Sequence, residues 1–234
     1  MKKRQRLGQH FLQSQNIAKS IVDAAKITKN DTVLEIGTGK GILVPLLCSQ
    51  AKFVISIESD KELFIEDQER FSDLPNLKLV HGDGFKADVE FTIFVSNLPY
   101  SQSRKAVEWL AQKKFSNAVV MVQKEFAEKI LSESLHEMRA VSVIANHAFD
   151  IESIMTVRNT NFNPPPKVDS IVLHLRHKNV VSKDMIKTVN HLFSYRRKTL
   201  GNILKKFGKT EQSNKRLDDL SGDEIIKIAR EINQ

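Results

Sequence analysis

Thr32-Val33-Leu34-Glu35-Ile36-Gly37-Thr38-Gly39-Lys40-Gly41 joins a short β-branched run to three glycines, and the apolar-periodic segment Ile42 to Ser49 follows directly. The pattern predicts a buried strand, a glycine turn and a helix. Two further runs have strand character: Phe53-Val54-Ile55-Ser56-Ile57, which ends on Glu58, and Leu77-Lys78-Leu79-Val80-His81, which ends in Gly82-Asp83. Strands alternating with helical segments build parallel sheets, and open sheets of that kind bind ligands at the carboxyl ends of their strands. Gly37, Glu58 and Asp83 are therefore expected at one crevice. A fourth run, Thr92-Ile93-Phe94-Val95-Ser96, closes on Asn97-Leu98-Pro99-Tyr100. A side-chain amide, a backbone carbonyl stiffened by proline and an aromatic face at such an edge suit the capture of a flat, amino-bearing ring such as adenine. A strand that stops at a proline turn and packs its tyrosine is the plainer reading of the same four residues.

The glycine spacing, G-x-G-x-G, departs from the dinucleotide fingerprint G-x-G-x-x-G. A nicotinamide or flavin site depends on a helix N-terminus aimed at the pyrophosphate, whereas a cofactor without phosphates needs only close backbone approach. S-Adenosyl-L-methionine fits the altered spacing. Glu58, 17 residues beyond Gly41, would hold the ribose hydroxyls. Asp83 would accept from the adenine amino group, and Gly37 would let the methionine part lie against the backbone. For Asp83 a turn cap within Gly82-Asp83-Gly84 stays open as an alternative.

A chain of 234 residues with 41% hydrophobic side chains can bury a full core. No run approaches the roughly 20 apolar residues of a bilayer span, and the basic N-terminus has no apolar stretch behind it, so a cytoplasmic protein that contacts no membrane is expected. Cys48, the only cysteine, excludes a disulfide and leaves a metal cluster short of ligands. The net charge of +8 is unevenly spread: seven Lys/Arg face one acid over residues 1–30, 14 face 19 over 31–166, and 15 face eight over 167–234. An acidic middle between two basic ends suits a clamp on a polyanion. Lys2, Lys3, Arg4 and Arg6 would form one jaw, although such runs also occur as merely solvated faces.

Phe193 to Phe207 reads as a helix that places Phe193, Leu200, Ile203, Leu204 and Phe207 on one side and Arg196, Arg197 and Lys198 largely elsewhere. Met185-Ile186-Val189-Leu192 and Ile225-Ile226-Ala229-Ile232 repeat the helical spacing, which suggests a small helical subdomain. Upstream, Phe162-Asn163-Pro164-Pro165-Pro166 interrupts helix and strand, and Val168 to Leu175 alternates into a last strand. The expected organisation is an α/β, Rossmann-like methyltransferase domain over 1–176 and a basic helical RNA-binding domain over 177–234.

Taken with two further blocks, these motifs resemble the KsgA-type rRNA adenine N6-dimethyltransferases over nearly the whole chain. The matching stretches are Leu7-Gly8-Gln9-His10-Phe11-Leu12, Glu35 to Gly41, Asn97 to Tyr100, Phe162 to Ser170 (FNPPPKVDS) and Phe193 to Leu200. The resemblance implies an enzyme that uses S-adenosyl-L-methionine to methylate twice N6 of two adjacent adenosines near the 3′ end of small-subunit rRNA. It implies that the substrate is a pre-30S-like particle and that the enzyme works as a monomer in small-subunit biogenesis. Carried over by position, it makes His10, Leu12, Gly37, Glu58, Asp83 and Asn97 the cofactor contacts. Asn97, Leu98, Pro99 and Tyr100 become the catalytic segment, with Phe162 facing Tyr100 across an aromatic slot. Archaeal and eukaryotic members have His where this chain has His10, and bacterial ones usually have Asn. Ser101-Gln102-Ser103 replaces the family's common Asn-Ile-Ser, and the C-terminal part is shorter than in bacterial members. Two other readings compete: an Erm-type large-subunit rRNA methyltransferase, and a ribosome-assembly or transcription factor that keeps the fold without the chemistry. Leu98, the PKVDS block and the RRKTL block favour the small-subunit enzyme.

Overall fold

The four apolar runs become adjacent strands of one sheet in the computed structural model, which describes residues 10–132, 134–210 and 213–233. In chain order the first elements are β1 (Phe11–Leu12), α1 (Gln15–Ala24), β2 (Thr32–Ile36), α2 (Val44–Gln50), β3 (Phe53–Glu58), α3 (Lys61–Arg70), β4 (Leu77–His81) and β5 (Ile93–Asn97). They are followed by α4 (Ser103–Leu110), β6 (Asn117–Gln123), α5 (Lys124–Leu131), α6 (Ala140–Ala148), β7 (Phe149–Val157), β8 (Phe162–Asn163) and β9 (Ser170–His177). The last helices are α7 (Lys183–Ser194), α8 (Leu200–Leu204) and α9 (Gly222–Asn233).

The seven-stranded sheet has the order β4-β3-β2-β5-β6-β9-β7. β2 pairs in parallel with β3 and β5, β3 with β4, and β5 with β6, while β9 runs antiparallel to β6. From β2 the chain steps outward through β3 and β4, then returns to the other side of β2 as β5. The reversal between β2 and β5 is the topological switch point, where the crevice of an open α/β sheet forms. Val33, Val54, Phe94, Val95, Val119 and Met121 are fully buried. Their runs are apolar without alternation, as expected of strands covered on both faces.

Polar residues within these strands carry their own partners. Glu35 of β2 is buried, and the Ser56 hydroxyl of β3 donates to its Oε2 at 2.5 Å. The Thr38 hydroxyl lies 2.6 Å from Ser56 Oγ, so the chain ties the glycine turn to the sheet beneath it. Burial pushes the Glu35 carboxyl up to about 8, with the charges of Asp67 and Glu58 adding to the rise and the Ser56 hydrogen bond opposing it. Because the folded value lies above the ordinary 4.5, Glu35 imposes no penalty below that pH; the penalty grows as pH rises to about 8 and is constant beyond. Glu35→Gln keeps an acceptor for Ser56 without the charge. It is expected to gain on the order of a few kcal/mol over wild type at pH 8.5 and much less at pH 5. Urea unfolding at the two pH values checks this, and an equal difference at both would contradict it.

β1 lies outside the main sheet and pairs antiparallel with β8, Phe11 opposite Asn163 and Leu12 opposite Phe162. The Gln13 amide donates to the Asn161 carbonyl at 2.9 Å, so the segment Phe11 to Gln13 is fastened to Asn161 to Asn163, just before the prolines.

Two compact units divide the chain: 1–103, 114–124 and 151–176 in the first, 104–113, 125–150 and 177–234 in the second. A single cut after Arg176 therefore misses two segments. In the second unit α6 packs on α7 and α9 and so joins the C-terminal helices despite its place in the sequence. Phe193 to Phe207 also departs from the single helix expected. α7 ends at Ser194, Tyr195 caps it with φ −109° and ψ 14°, and α8 begins only at Leu200. Between them Thr199 is extended and bridges Arg216, while the Leu200 amide donates to the Lys215 carbonyl at 2.7 Å. A tertiary backbone bond here replaces the intrahelical one.

Candidate active site

Three neighbouring parallel strands end side by side. Gly37 follows β2, and its amide donates to the Ile57 carbonyl at 2.8 Å. Glu58 ends β3 and is 3% exposed. Its Oε2 accepts from the Gly39 amide at 2.9 Å and its Oε1 from the Asp60 amide at 2.8 Å, so this carboxylate braces the glycine turn. The Gly82 amide donates to the Glu58 carbonyl at 2.9 Å, which hooks the loop after β4 onto β3. Asp83, in that loop, is exposed and caps the 3-10 turn Gly84–Lys86, its Oδ1 accepting from the Phe85 amide at 3.0 Å. The turn-cap reading of Asp83 is thus realised in the structure, and its exposure leaves room for a further role. Phe11 covers the turn from the other side: a methyl built on Gly39 would meet its ring at 3.3 Å, and the Lys40 ammonium lies 5.4 Å from the ring centre.

Across the switch point, Asn97 is half-buried at the end of β5, and the Ser96 hydroxyl donates to the Ile36 carbonyl at 2.5 Å. A methyl built on Gly37 would lie 3.9 Å from Pro99, which puts the glycine turn against the Asn-Leu-Pro-Tyr segment. Neither the Asn97 side-chain amide nor the Leu98 carbonyl is hydrogen-bonded to another of the described residues. The Leu98 side chain, in contrast, is buried, and that anchors the segment. Tyr100 opens a 3-10 turn, its hydroxyl 2.8 Å from Ser170 Oγ. Burial raises its phenol above the usual range, with Ser170 opposing the shift.

The ring beside Tyr100 is His10, at 5.4 Å between centroids and 32° between planes. His10 Nδ1 donates to the Pro164 carbonyl at 2.7 Å. The resemblance sets Phe162 across from Tyr100 as the opposing wall. Phe162 is 3% exposed and packs in the hydrophobic core with Leu12, which is 4% exposed, because β1–β8 pairing turns both side chains inward.

Of the residues expected to bind RNA, Lys2, Lys3, Arg4 and Arg6 lie outside the described residues. Arg197 and Lys198 are exposed, and the Lys198 ammonium lies 5.3 Å from the Tyr195 ring centre. Arg196 already has a protein partner. Its Nη2 donates to both Asp218 carboxylate oxygens at 2.9 Å and, at 3.3 Å, to the His136 carbonyl. The charge pattern could not show this, since a paired guanidinium and a free one look alike in sequence.

Comparison with known proteins agrees with the geometry. The family described as "Ribosomal RNA adenine dimethylase" matches residues 1–233. The chain belongs to this family. Ribosomal RNA small subunit methyltransferase A of Thermotoga neapolitana is 38% identical over 230 residues, 95% of this chain and 88% of the relative. A probable ribosomal RNA small subunit methyltransferase A of Methanococcus aeolicus is 38% identical over 183 residues, 76% of this chain and 68% of the relative. Among solved structures, a dimethyladenosine transferase from Plasmodium falciparum superposes with a TM-score of 0.81 at 28% identity, covering 96% of this chain and 98% of that one. The 23S rRNA methyltransferase ErmE shares the fold, with a TM-score of 0.71 at 22% identity over 96% of this chain and all of that one.

As an rRNA adenine dimethylase the protein is a methyltransferase of the Rossmann-like class, and S-adenosyl-L-methionine is its cofactor. The strand ends fit that group. Gly37, where an added methyl would meet nothing nearer than Pro99 at 3.9 Å, leaves the backbone bare for close approach, and the buried Glu58 carboxylate, already fixed by two amides, has lone pairs left for a diol. No helix of the described residues is long and apolar enough to cross a membrane. Sequence reasoning missed Ser170, Phe11 and the Ser56–Glu35 pair. For the last there was a signal, since a serine inside an apolar strand needs a partner.

Proposed function

We propose that this rRNA adenine dimethylase transfers two methyl groups to N6 of each of two adjacent adenosines near the 3′ end of small-subunit rRNA. In this reading it acts as a cytoplasmic monomer on a pre-30S-like particle and so takes part in small-subunit biogenesis. The observation that carries the reading is the pair of acceptors at the switch point, Asn97 Oδ1 and the Leu98 carbonyl, both without a partner among the described residues. S-Adenosyl-L-methionine supplies a methyl group on a positively charged sulfur. The N6 lone pair of adenine is delocalised into the ring and is a poor nucleophile while the amino group is planar. In the first transfer, hydrogen bonds from its two hydrogens to Asn97 Oδ1 and to the Leu98 carbonyl draw the group out of plane; the monomethylated amine keeps one hydrogen to donate to this pair, and after each transfer the methylated nitrogen sheds one proton to solvent. Pro99, with φ −54°, stiffens the segment that aims that carbonyl. Tyr100 supplies a face for the extruded base and attracts its developing positive charge, worth on the order of 1–2 kcal/mol. No side chain of shifted pKa is needed for the transfer.

The small-subunit assignment is supported by the names of the relatives, and the Erm-type alternative has the shared fold in its favour. Mass mapping of methylated nucleotides separates the two, after incubation with labelled S-adenosyl-L-methionine and either undermethylated small subunits or large-subunit RNA. Two adjacent dimethyladenosines near the 3′ end of the small-subunit RNA are expected. Label confined to large-subunit RNA would overturn the reading.

RNA affinity in this reading rests on the basic N-terminal arm and on Arg197 and Lys198, with Arg196 serving structure. Replacing Arg197 and Lys198 together by Ala is expected to weaken RNA binding. It should also reduce the slope of log affinity against log salt by roughly 0.7 to 0.9 for each phosphate no longer neutralised, with cofactor affinity unchanged. Arg196→Ala should instead lower the unfolding midpoint of the protein, because it strands Asp218. A salt titration with parallel thermal unfolding checks both, and an unchanged slope would remove the two residues from the interface.

A further inference from the structure

Tyr100 is held in place by a residue 70 positions further along the chain: its hydroxyl is 2.8 Å from Ser170 Oγ. Ser170 is the first residue of β9 and is fully buried, paired in register with Gln123 of β6. Its neighbour is pinned as well. The Asp169 carbonyl accepts from the Lys124 amide at 3.0 Å, and Asp169 Oδ1 accepts from the Asn159 amide at 2.9 Å. Ser170 Oγ is therefore a fixed point of the sheet, whereas Tyr100 sits in a short 3-10 turn just past the end of β5. Two torsions separate the Tyr100 ring from its backbone, and a bond at the far end of the side chain restrains both at once. His10 flanks the ring but does not hold it, since its own hydrogen bond goes to the Pro164 carbonyl.

We propose that Ser170 is a positioning residue for methyl transfer: by holding the Tyr100 hydroxyl it sets the plane of the ring on which the target adenine stacks, and so the line between N6 and the incoming methyl group. The proposal rests on the reading of Tyr100 as the wall for the base. A misaligned reacting pair costs rate more than binding. Ser170 therefore acts on kcat, and the affinity for the particle, supplied elsewhere, is indifferent to it.

The test compares Ser170→Ala, Tyr100→Phe, the double variant and Tyr100→Ala on undermethylated small subunits, with thermal unfolding and cofactor calorimetry alongside. Ser170→Ala and Tyr100→Phe each remove the same bond from opposite ends. Each is expected to lower kcat about tenfold with KM changed less than about threefold, and the double variant should be no slower than the slower single one. A direct readout comes from 3-fluorotyrosine labelling in a Tyr195→Phe background, since the chain has two tyrosines. The single fluorine resonance of Tyr100 is expected to shift or broaden in Ser170→Ala without RNA present. Additive losses in the double variant, or a Ser170→Ala protein with unchanged resonance and unchanged kcat, would overturn the proposal. If Ser170→Ala fails to fold, Tyr100→Phe decides alone, and wild-type kcat in that variant would refute the role of the bond. Wild-type turnover in Tyr100→Ala would instead remove the base-wall reading on which the proposal stands.

Discussion

Asn97→Ala is expected to fold as the wild type does and to lose turnover by a factor on the order of 100 to 1000, the range seen when one preorganised hydrogen-bonding group is removed from a transition state. Asn97 ends β5 with its side chain half-buried, and its side-chain amide supports no other described residue, so its loss leaves no orphaned partner in the fold. Its hydrogen bond to the amino group strengthens as N6 leaves the ring plane. The substitution therefore acts on the transition state more than on any ground-state complex. Affinity for S-adenosyl-L-methionine, measured by calorimetry, should fall by no more than several fold, although the resemblance also counts Asn97 among the cofactor contacts. Turnover within a few fold of wild type would remove Asn97 from the chemistry. A collapse of cofactor affinity with turnover preserved at saturation would make it a binding residue only.

Gly41→Ala is expected to be the most damaging single methyl in the glycine turn. Gly41 has φ +67°, a conformation that costs an alanine about 1–2 kcal/mol. The added carbon would stand 2.3 Å from Phe71 Cε2 and 2.5 Å from Cζ, and 3.4 Å from Asp67 Oδ1. Relief is not free. Phe71 packs against the hydrophobic core, and the Arg70 guanidinium lies 5.6 Å from its ring centre while donating to the Lys40 carbonyl at 2.7 Å. Asp67 beneath it is 1% exposed, with its carboxyl pushed up to about 6 by burial. Overpacking of this kind adds roughly 1–3 kcal/mol, for a total of about 2–5 kcal/mol in urea unfolding. Because the same turn donates the Gly39 amide to Glu58, cofactor affinity should drop by more than about tenfold as well. A stability within about 0.5 kcal/mol of wild type would mean that Phe71 yields freely.

What can be read from the chain is what its local pattern carries. The apolar runs delimit Thr32–Ile36 and Leu77–His81 to the residue, and the strands whose runs end at Ile57 and Ser96 to within one, because the three inner strands are covered on both faces and so mostly apolar, while the edge strand Leu77–His81 keeps the alternation of a half-covered one. Gly37 to Gly41 and Asn97 to Tyr100 stand out because glycine, proline and a strand-ending amide have few other uses at such places. The reading fails where a residue's role depends on a partner far along the chain. β1 and β8 are two residues each, too short for any periodicity, yet their pairing ties His10 to Pro164 across 154 positions and buries Phe162. Arg196 carries the same charge whether it meets a phosphate or Asp218, and helical spacing around Phe193 to Phe207 says nothing of the Thr199–Arg216 bridge that breaks the helix. The sequence by itself determined four neighbouring strands of the sheet, the glycine turn and the acceptor segment, since burial and backbone conformation select residue types one position at a time. Only the tertiary structure decided which ring flanks Tyr100, which hydroxyl holds it and which arginine is already engaged, because hydrogen bonds and ion pairs form between positions whose proximity no local pattern encodes.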